Sequence, residues 1–250
     1  MNEQSQDKDF LKNFDEDRVI HEVEEEAKAL NLSRSELAET IDHTLLSQNT
    51  RRDDVEELCE EAIDNGFYSV CVNPCNVELC EFKLGGTEVN IAAVVGFPLG
   101  QNTIETKEFE ARDVVDNGAD ELDMVMNVGA FLDGDHEYVK KEISRVVEAS
   151  QGALVKVILE TGYLSNEDIA EACRISEDAG ADFVKTSTGF GPQGASVPHV
   201  WIMDKATDLK VKAAGGIGDY ADAAKMLVAG ADRLGASSGV EIMRTFHEFE

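Results

Sequence analysis

The sequence predicts an α/β fold, a closed TIM-type (β/α)8 barrel with a helical N-terminal extension, and three observations lead to it. Eight short apolar runs alternate with charged stretches of helical periodicity from Glu39 onward, which is typical of repeated βα units around a parallel sheet. Short sequence echoes recur between helix and strand patterns, at spacings that fit two βα units each. A length of 250 residues also suits one such barrel.

The extension covers residues 1–35, and the barrel covers residues 36–250. The extension is strongly charged and contains helix-like stretches such as HEVEEEAKAL at 21–30. We expect this segment to pack beside the barrel and to contribute little to function.

The eight strands are expected near residues 40–45, 68–73, 90–96, 120–127, 154–160, 182–187, 210–214 and 232–236. Four glycines that share one position, between a helical pattern and an even-numbered strand, are Gly66, Gly118, Gly180 and Gly230. These positions suit helix C-terminal caps, where φ is positive. An open doubly wound sheet is the alternative fold, because periodicity alone does not prove closure.

Composition excludes several classes of partner. The chain has 51 acidic and 22 basic residues, for a formal net charge of -29, so it is poorly suited to bind nucleic acid. We hypothesise an acidic surface adapted to concentrated salt, where charge repulsion is screened; the alternative is an acidic mesophilic enzyme. Without an apolar span or signal peptide in the sequence, we expect a cytoplasmic protein with no membrane partner.

Cysteine content argues against a disulfide framework and against a zinc site. The chain has five cysteines, an odd number, with no CxxC pair and no histidine close to them in sequence. We expect reduced thiols that are mostly packed as small hydrophobic side chains.

Several expected strands carry charged residues on one face, although barrel strands are covered on both sides. Side chains alternate along a strand with period two. Glu121 and Asp123 therefore share the face opposite Leu122 and Met124. The same parity selects, on other strands, the polar residues Asp42, Thr44, Ser69, Cys71, Asn73, Lys156, Lys185 and Lys212. We expect these side chains to converge inside the barrel near its C-terminal mouth, paired because isolated buried charges are costly.

The interior lysines allow two interpretations. Lys156 fits a structural ion pair with Glu160 or Glu121. Lys185 and Lys212 lie near strand ends and are soon followed by glycines, which favours a functional role at the mouth.

Two consecutive strand ends indicate a phosphate site. Gly215 and Gly216 follow the seventh strand, and Ser237 and Ser238 follow the eighth, just before a last helical stretch. Barrels often hold a substrate phosphate with these two loops and a helix N-terminus, whose dipole favours an anion.

This set of residues predicts Schiff-base chemistry. A lysine attacks a carbonyl only as the neutral amine, and a neighbouring ammonium with partial desolvation favours that form. Lys185 is the candidate nucleophile, and Lys212 is the neighbouring ammonium. Asp123 is the candidate acid/base group, or else a carboxylate that only neutralises the lysines. This chemistry requires neither a metal nor another cofactor.

The chain resembles the deoxyribose-phosphate aldolase family from about Ile41 to Ser238. The resemblance rests on eight motifs in order: IDHTLL at 41–46, VCVNP at 70–74, VVGFP at 94–98, ELDMV at 121–125, KVILET at 156–161, FVKTSTGF at 183–190, VKAAGGI at 211–217 and GASSG at 235–239. It implies reversible cleavage of 2-deoxy-D-ribose 5-phosphate to acetaldehyde and D-glyceraldehyde 3-phosphate, in deoxynucleoside catabolism.

The resemblance also implies residue roles. It assigns the Schiff-base lysine to Lys185, the proton-relay aspartate to Asp123 and the second lysine to Lys212. It implies phosphate contacts at Gly189, Gly215, Gly216, Ser237 and Ser238, and pocket positions at Asp42, Thr44, Cys71 and Thr188. Members usually form dimers or larger oligomers, so a homo-oligomer is expected here.

Two features depart from the family's pattern. Phe190 follows the Thr-Gly of the sixth-strand motif, where many members have lysine, and the chain ends in FHEFE rather than in a tail with a terminal tyrosine. Phosphate affinity and proton transfer by the tail are therefore expected to differ from those of the family, whereas the reaction class is expected to be the same.

Two rival functions remain open from the sequence. One is another Schiff-base aldolase or transaldolase with a larger ketose phosphate donor. The other is a non-catalytic sugar-phosphate-binding barrel, in which the lysines would only pair with the ligand.

Overall fold

A computed structural model describes residues 9–246 of the protein. Its strands are β1 (Ile41–Leu45), β2 (Ser69–Val72), β3 (Asn90–Val95), β4 (Glu121–Val125), β5 (Leu154–Ile158), β6 (Phe183–Lys185), β7 (Lys210–Ala214) and β8 (Arg233–Ala236). Each strand pairs in parallel with the next along the chain, and β8 pairs with β1 through Leu234 and Ile41. The predicted closed barrel is therefore confirmed, and the open-sheet alternative is wrong.

The N-terminal extension is helical, as predicted, and packs on the barrel. Its helices are α1 (Asp9–Lys12), α2 (Glu16–Ala27) and α3 (Arg34–Ala38). Val19 and Val23 on α2 are buried, and the ring of Phe14 lies 5.5 Å from that of Trp201 on the barrel's outer layer. The proposed boundary at residue 35 falls within α3, and the first eight residues of the extension lie outside the described segment.

Helices follow the strands around the outside of the barrel. Within residues 9–246 they are α4 (Arg52–Asn65), α5 (Val77–Leu84), α6 (Ile104–Asp116), α7 (Val128–Leu132), α8 (His136–Ala149), α9 (Asn166–Asp178), α10 (Val197–Ala206), α11 (Tyr220–Val228) and α12 (Gly239–Phe246). The four glycines expected at helix ends have φ values of 68°, 109°, 87° and 113° in chain order. This confirms the predicted left-handed positions.

The hydrophobic core lies mainly between the barrel and its helices. A much smaller apolar cluster of Leu46, Cys71, Ala92 and Val94 lies separately. The buried carboxylates between residues 10 and 246 are Asp42, Glu108, Glu121, Asp123, Glu142 and Glu160, and the other acidic side chains of that range are half-buried or exposed. Most of the negative charge is therefore at the surface.

The five cysteines are unpaired; Cys75 is exposed and the other four are buried. None of the helices in the described part of the chain is both long and apolar enough to span a bilayer.

A buried ion pair between α6 and α8 holds loops near the mouth. Lys107 pairs with Glu142, and both side chains are fully buried. The Lys107 ammonium also donates to the carbonyl oxygens of Gly100, at 2.8 Å, and Val125, at 2.7 Å. Glu142 accepts a hydrogen bond from the backbone N–H of Asn127 at 2.9 Å. The loop after β3 and the end of β4 are thereby tied to the same two helices.

Candidate active site

Lys185, Asp123 and Lys212 meet inside the barrel. The Nζ atom of Lys185 lies 2.6 Å from Oδ2 of Asp123, and Nζ of Lys212 lies 2.7 Å from the same oxygen. Lys185 is 2% exposed, and the other two are fully buried. Two lysine nitrogens thus contact the same carboxylate oxygen.

Strand register explains this meeting. Lys185 and Lys212 are directly paired across β6 and β7, and Asp123 is paired with Lys156 across β4 and β5. Residues paired in register on neighbouring strands point to the same side of a sheet. Alternation along each strand puts apolar neighbours such as Val184 and Val211 on the outside, so the structure brings Asp123, Lys156, Lys185 and Lys212 together inside the barrel.

Lys156 has a structural partner on the neighbouring strand. Its Nζ lies 2.5 Å from Oε2 of Glu121 and 3.0 Å from Oδ1 of Asp123. Of the two predicted partners, Glu121 is therefore the one in contact, whereas Glu160 binds another residue. Burial alone would lower the pKa of Lys156, but the Asp123 and Asp42 carboxylates outweigh that effect and raise it.

Asp42 and Arg233 extend the charged cluster toward the opposite end of the barrel. Oδ2 of Asp42 lies 2.5 Å from Nζ of Lys212, and Oδ1 of Asp42 accepts from Nη2 of Arg233. The same Nη2 lies 3.2 Å from Oε2 of Glu121. Sequence reasoning missed Arg233, although strand parity applied to β8 would have placed it on the interior face.

The pKa values of the central carboxylates are depressed by these partners. Burial by itself would raise the pKa of Asp123, but the ammonium groups of Lys156, Lys185 and Lys212 hold it well below its ordinary value. The pKa of Asp42 is lowered in the same way, because Lys212 and Arg233 outweigh burial. Burial would lower the pKa of Lys212, but Asp123 and Asp42 raise it well above its ordinary value.

Cys71 and Thr44 lie beside the cluster in less polar roles. The Cys71 thiol points at Oδ2 of Asp123 with an S···O distance of 3.8 Å, and burial raises the pKa of this thiol. The Thr44 hydroxyl donates to the backbone carbonyl of Asp42 at 2.8 Å. Both residues therefore lie next to the charged groups, and neither of them takes part in an ion pair.

A cavity of about 200 Å³ opens above Lys185 at the C-terminal mouth. The predicted site residues that line it are Thr44, Lys185, Thr188, Gly189, Gly215 and Ser237. The other predicted residues, Asp42, Cys71, Asp123, Gly216, Lys212 and Ser238, do not line it. Lys185 is thus the cluster lysine that reaches the cavity.

The loops predicted to bind phosphate meet at this mouth. Gly189, Gly215 and Gly216 have φ values of 85°, 93° and 82°, a conformation that favours glycine. A Cβ on Gly215 would lie 2.9 Å from the Cα of Gly194, so the backbone approaches too closely for a side chain. Ser237 is exposed and Ser238 is half-buried, directly before the N-terminus of α12, whose free N–H groups favour an anion.

Glu160 holds the loop after β6. Its Oε2 accepts from the Thr188 hydroxyl at 2.5 Å, and both carboxylate oxygens lie 3.3 Å from the Thr188 backbone nitrogen. The Thr188 hydroxyl oxygen in turn accepts from the backbone N–H of Phe190 at 3.0 Å. Glu160 has φ 55°, which is uncommon for a residue other than glycine. Burial raises its pKa.

Phe190, the first predicted departure, lies on the rim of the cavity. Its side chain is half exposed, and its ring packs edge-on against Phe97 with centroids 5.5 Å apart. It supplies an apolar wall where a lysine would supply charge. The second departure, the C-terminal tail, lies outside the described residues beyond Phe246.

Comparison with known proteins agrees with this geometry. A family model described as DeoC/LacD family aldolase matches residues 37–248. The chain is 54% identical to a deoxyribose-phosphate aldolase of Caldanaerobacter subterraneus subsp. tengcongensis, over 83% of this chain and 92% of that protein. It is also 50% identical to a deoxyribose-phosphate aldolase of Thermococcus kodakarensis, and that match covers 85% of this chain and 97% of the relative.

A solved structure shows the same architecture. The deoxyribose phosphate aldolase from Aeropyrum pernix, described as having a unique tetrameric structure, superimposes with a TM-score of 0.85. It is 34% identical, and the match covers 92% of this chain and 99% of that one. With the family model covering most of the barrel and relatives at about half identity, the chain belongs to the DeoC/LacD family of aldolases.

Proposed function

We propose that this protein is a deoxyribose-phosphate aldolase that cleaves 2-deoxy-D-ribose 5-phosphate reversibly through a Schiff base on Lys185. The observation that carries this proposal is the position of Lys185. It is the cluster lysine that lines the cavity, and its Nζ lies 2.6 Å from a carboxylate oxygen that Lys212 also contacts. The kinship with enzymes of this name supports the substrate.

The first stage is covalent capture of the open-chain aldehyde. The neutral amine of Lys185 attacks C1, and the resulting carbinolamine loses water to give a protonated Schiff base. Asp123 enters as a carboxylate because its pKa is depressed, so its oxygen carries no proton when the reaction begins. Lys212, whose pKa is raised, stays protonated and donates a hydrogen bond to the same oxygen, so the two groups can act together as a proton relay.

The second stage breaks the carbon–carbon bond. Removal of the proton from the C3 hydroxyl turns C3 into the aldehyde of D-glyceraldehyde 3-phosphate, and the C2–C3 electron pair moves into the enamine. The cationic nitrogen accepts these electrons. Protonation at C2 and addition of water then release acetaldehyde and restore Lys185. This sequence is complete with protons and water alone.

The phosphate fits the mouth rather than the interior. Gly189, Gly215 and Gly216 leave backbone N–H groups accessible, and the Ser237–Ser238 turn precedes the N-terminus of α12. With a formal charge of -29 on the chain, these backbone donors and the helix dipole matter more than they would in a basic protein.

A homo-oligomer is also proposed, supported by the tetrameric Aeropyrum pernix relative. Light scattering with size-exclusion chromatography decides the number of subunits.

Trapping tests the proposed function. The protein is incubated with acetaldehyde and sodium borohydride, digested, and its peptides are weighed. We expect one ethyl group on the peptide that contains Lys185 and loss of aldolase activity. A sugar-phosphate sensor would give no adduct, and an aldolase for larger ketose phosphates would be trapped by those ketoses and would not use acetaldehyde as donor.

A negative charge at the phosphate site should weaken binding of the phosphorylated substrate selectively. We expect Ser237→Asp to raise KM for 2-deoxy-D-ribose 5-phosphate by about tenfold or more, because the new carboxylate repels the phosphate. Turnover of unphosphorylated 2-deoxy-D-ribose should change by less than about twofold on the same reasoning. Ser35→Asp, which adds the same charge on the exposed face of α3, is the matched control. Equal effects on both substrates would contradict this site.

A further inference from the structure

Six charged side chains inside the barrel form a closed ring of alternating sign. Lys156 bridges Glu121 and Asp123, Lys212 bridges Asp123 and Asp42, and Arg233 bridges Asp42 and Glu121. We call this set the charge ring; its members are Asp42, Glu121, Asp123, Lys156, Lys212 and Arg233. Each member contacts two neighbours of opposite charge, and all six are buried.

The charge ring is neutral as a whole. Three carboxylates face three cations, and ring contacts hold the pKa values of Lys156, Lys212 and Arg233 above their ordinary values against the effect of burial. The pKa values of Asp42 and Asp123 are held low. Glu121 contacts Lys156 at 2.5 Å and Arg233 at 3.2 Å. No member can lose its charge cheaply, because its two neighbours would be left unbalanced.

Lys185 is a seventh titratable group, attached to a ring that is already balanced. Among the described residues, its ion pair is with Asp123 alone. A protonated Lys185 therefore gives the buried cluster one positive charge in excess, whereas the neutral amine leaves the ring balanced. Because buried uncompensated charge is costly, the closed ring favours the form that attacks a carbonyl.

Arg233 closes the ring from the end of the barrel opposite the substrate. It is the first residue of β8, whereas Lys185 is the last residue of β6. Its guanidinium stacks 3.5 Å above the ring of Tyr68 and contacts Asp42 and Glu121, but it contacts neither Lys185 nor the cavity. Any influence on Lys185 must act through the carboxylates.

We propose that Arg233 is a positioning residue that closes the charge ring and thereby keeps Lys185 available as the neutral nucleophile. The inference rests on the proposed Schiff-base function. Without Arg233, Asp42 and Glu121 would hold one negative charge in excess, and the cluster would regain balance by keeping the proton on Lys185.

Other titratable groups also face Lys185. Apart from Asp123 and Lys212, they are Cys71 on β2 and Glu160 after β5, whereas Lys156 and Asp42 are linked to Lys185 only through Asp123 and Lys212. Glu160 is bound to Thr188 rather than to a cation, and the pKa of the Cys71 thiol is raised, which keeps it neutral. Glu160 and Cys71 are unchanged in every variant of the test, so differences between the variants report on the ring.

The test compares two substitutions that open the ring at the same contact with opposite sign. Trapping of acetaldehyde on Lys185 by cyanoborohydride is measured against pH for the wild type, Arg233→Met and Glu121→Gln. We expect the acid limb of the profile to move to higher pH by roughly one unit in Arg233→Met and to lower pH in Glu121→Gln. The double variant removes one charge of each sign and should return the limb close to that of the wild type.

Arg233→Lys keeps the charge and should leave the limb in place. If Arg233→Met does not fold, as judged by circular dichroism, the other two variants test the inference. The acid limb should then move to lower pH in Glu121→Gln and stay in place in Arg233→Lys. Shifts in the same direction for both ring-opening variants, or a limb that does not move, would overturn the inference and leave Arg233 a structural clamp. Failure of the wild type to be trapped would instead overturn the proposed function.

Discussion

Replacing Lys185 by methionine is expected to lower kcat/KM for 2-deoxy-D-ribose 5-phosphate on the order of 10⁴-fold or more, because no other group can form the covalent intermediate. Lys212 and Lys156 do not line the cavity, and their pKa values are raised, so neither can take over as a neutral amine. Steady-state turnover with a coupled assay for the triose phosphate measures the loss.

The same variant should fold at least as stably as the wild type. Methionine fills a similar volume, and Asp123 keeps Lys156 and Lys212 as partners, so the substitution leaves no buried carboxylate unpaired. Lys185 is not a member of the charge ring, so its removal leaves the three carboxylates and three cations of the ring balanced. Lys205→Ala, on exposed α10 surface beside Asp204, is the control and should keep full activity. Residual turnover within tenfold of the wild type, on the order of magnitude of a lost binding contact, would contradict the Schiff-base assignment.

Strand pattern was enough to predict eight βα units, because each unit carries its own local signals. The eight apolar runs are bounded by helix caps, and glycines such as Gly66 and Gly180 adopt the left-handed conformation that their positions indicated. Closure could not be derived from these local signals alone, because the contact between β1 and β8 depends on the curvature of the whole sheet. It followed from counting eight units and from the resemblance to a barrel family.

Period-two alternation was also enough to predict the central residues of the site. An aspartate or lysine on a strand that is covered on both sides has to point inward, which identified Asp123, Lys185 and Lys212. The identity of each ion pair could not be derived in this way, because partners depend on register across several strands. Lys156 therefore had two candidate partners; the register of β4 and β5 pairs it with Asp123, and only the distance between side chains shows that Glu121 is the predicted partner in contact.

Residues outside the regular strand pattern were harder to find. Glu160 leaves the strand with a left-handed backbone, so its parity with Lys156 no longer predicts its direction, and it turns to Thr188. The buried pair of Lys107 and Glu142 lies on two helices, where charged residues normally face water. Nothing in the local sequence distinguishes these two from surface charges.

Replacing Asp123 by asparagine is expected to separate covalent capture from turnover. The amide keeps the shape of the carboxylate but cannot accept and return protons, so kcat should fall by about 10²- to 10⁴-fold. Capture of acetaldehyde on Lys185 should persist, since loss of one carboxylate leaves the cluster with excess positive charge and disfavours the ammonium form. Trapping yield and steady-state turnover, measured on the same preparation, give the two quantities.

Stability distinguishes this interpretation from a purely neutralising role for Asp123. Lys156 keeps Glu121 and Lys212 keeps Asp42 in the variant, so we expect it to fold, at a cost of a few kcal/mol, roughly that of breaking a buried ion pair. Asp120→Asn, at an exposed position just before β4, is the control for a changed carboxylate near the same strand. If Asp123→Asn loses stability but turns over at the rate of the wild type, Asp123 only neutralises the lysines, and the proton relay must use another group.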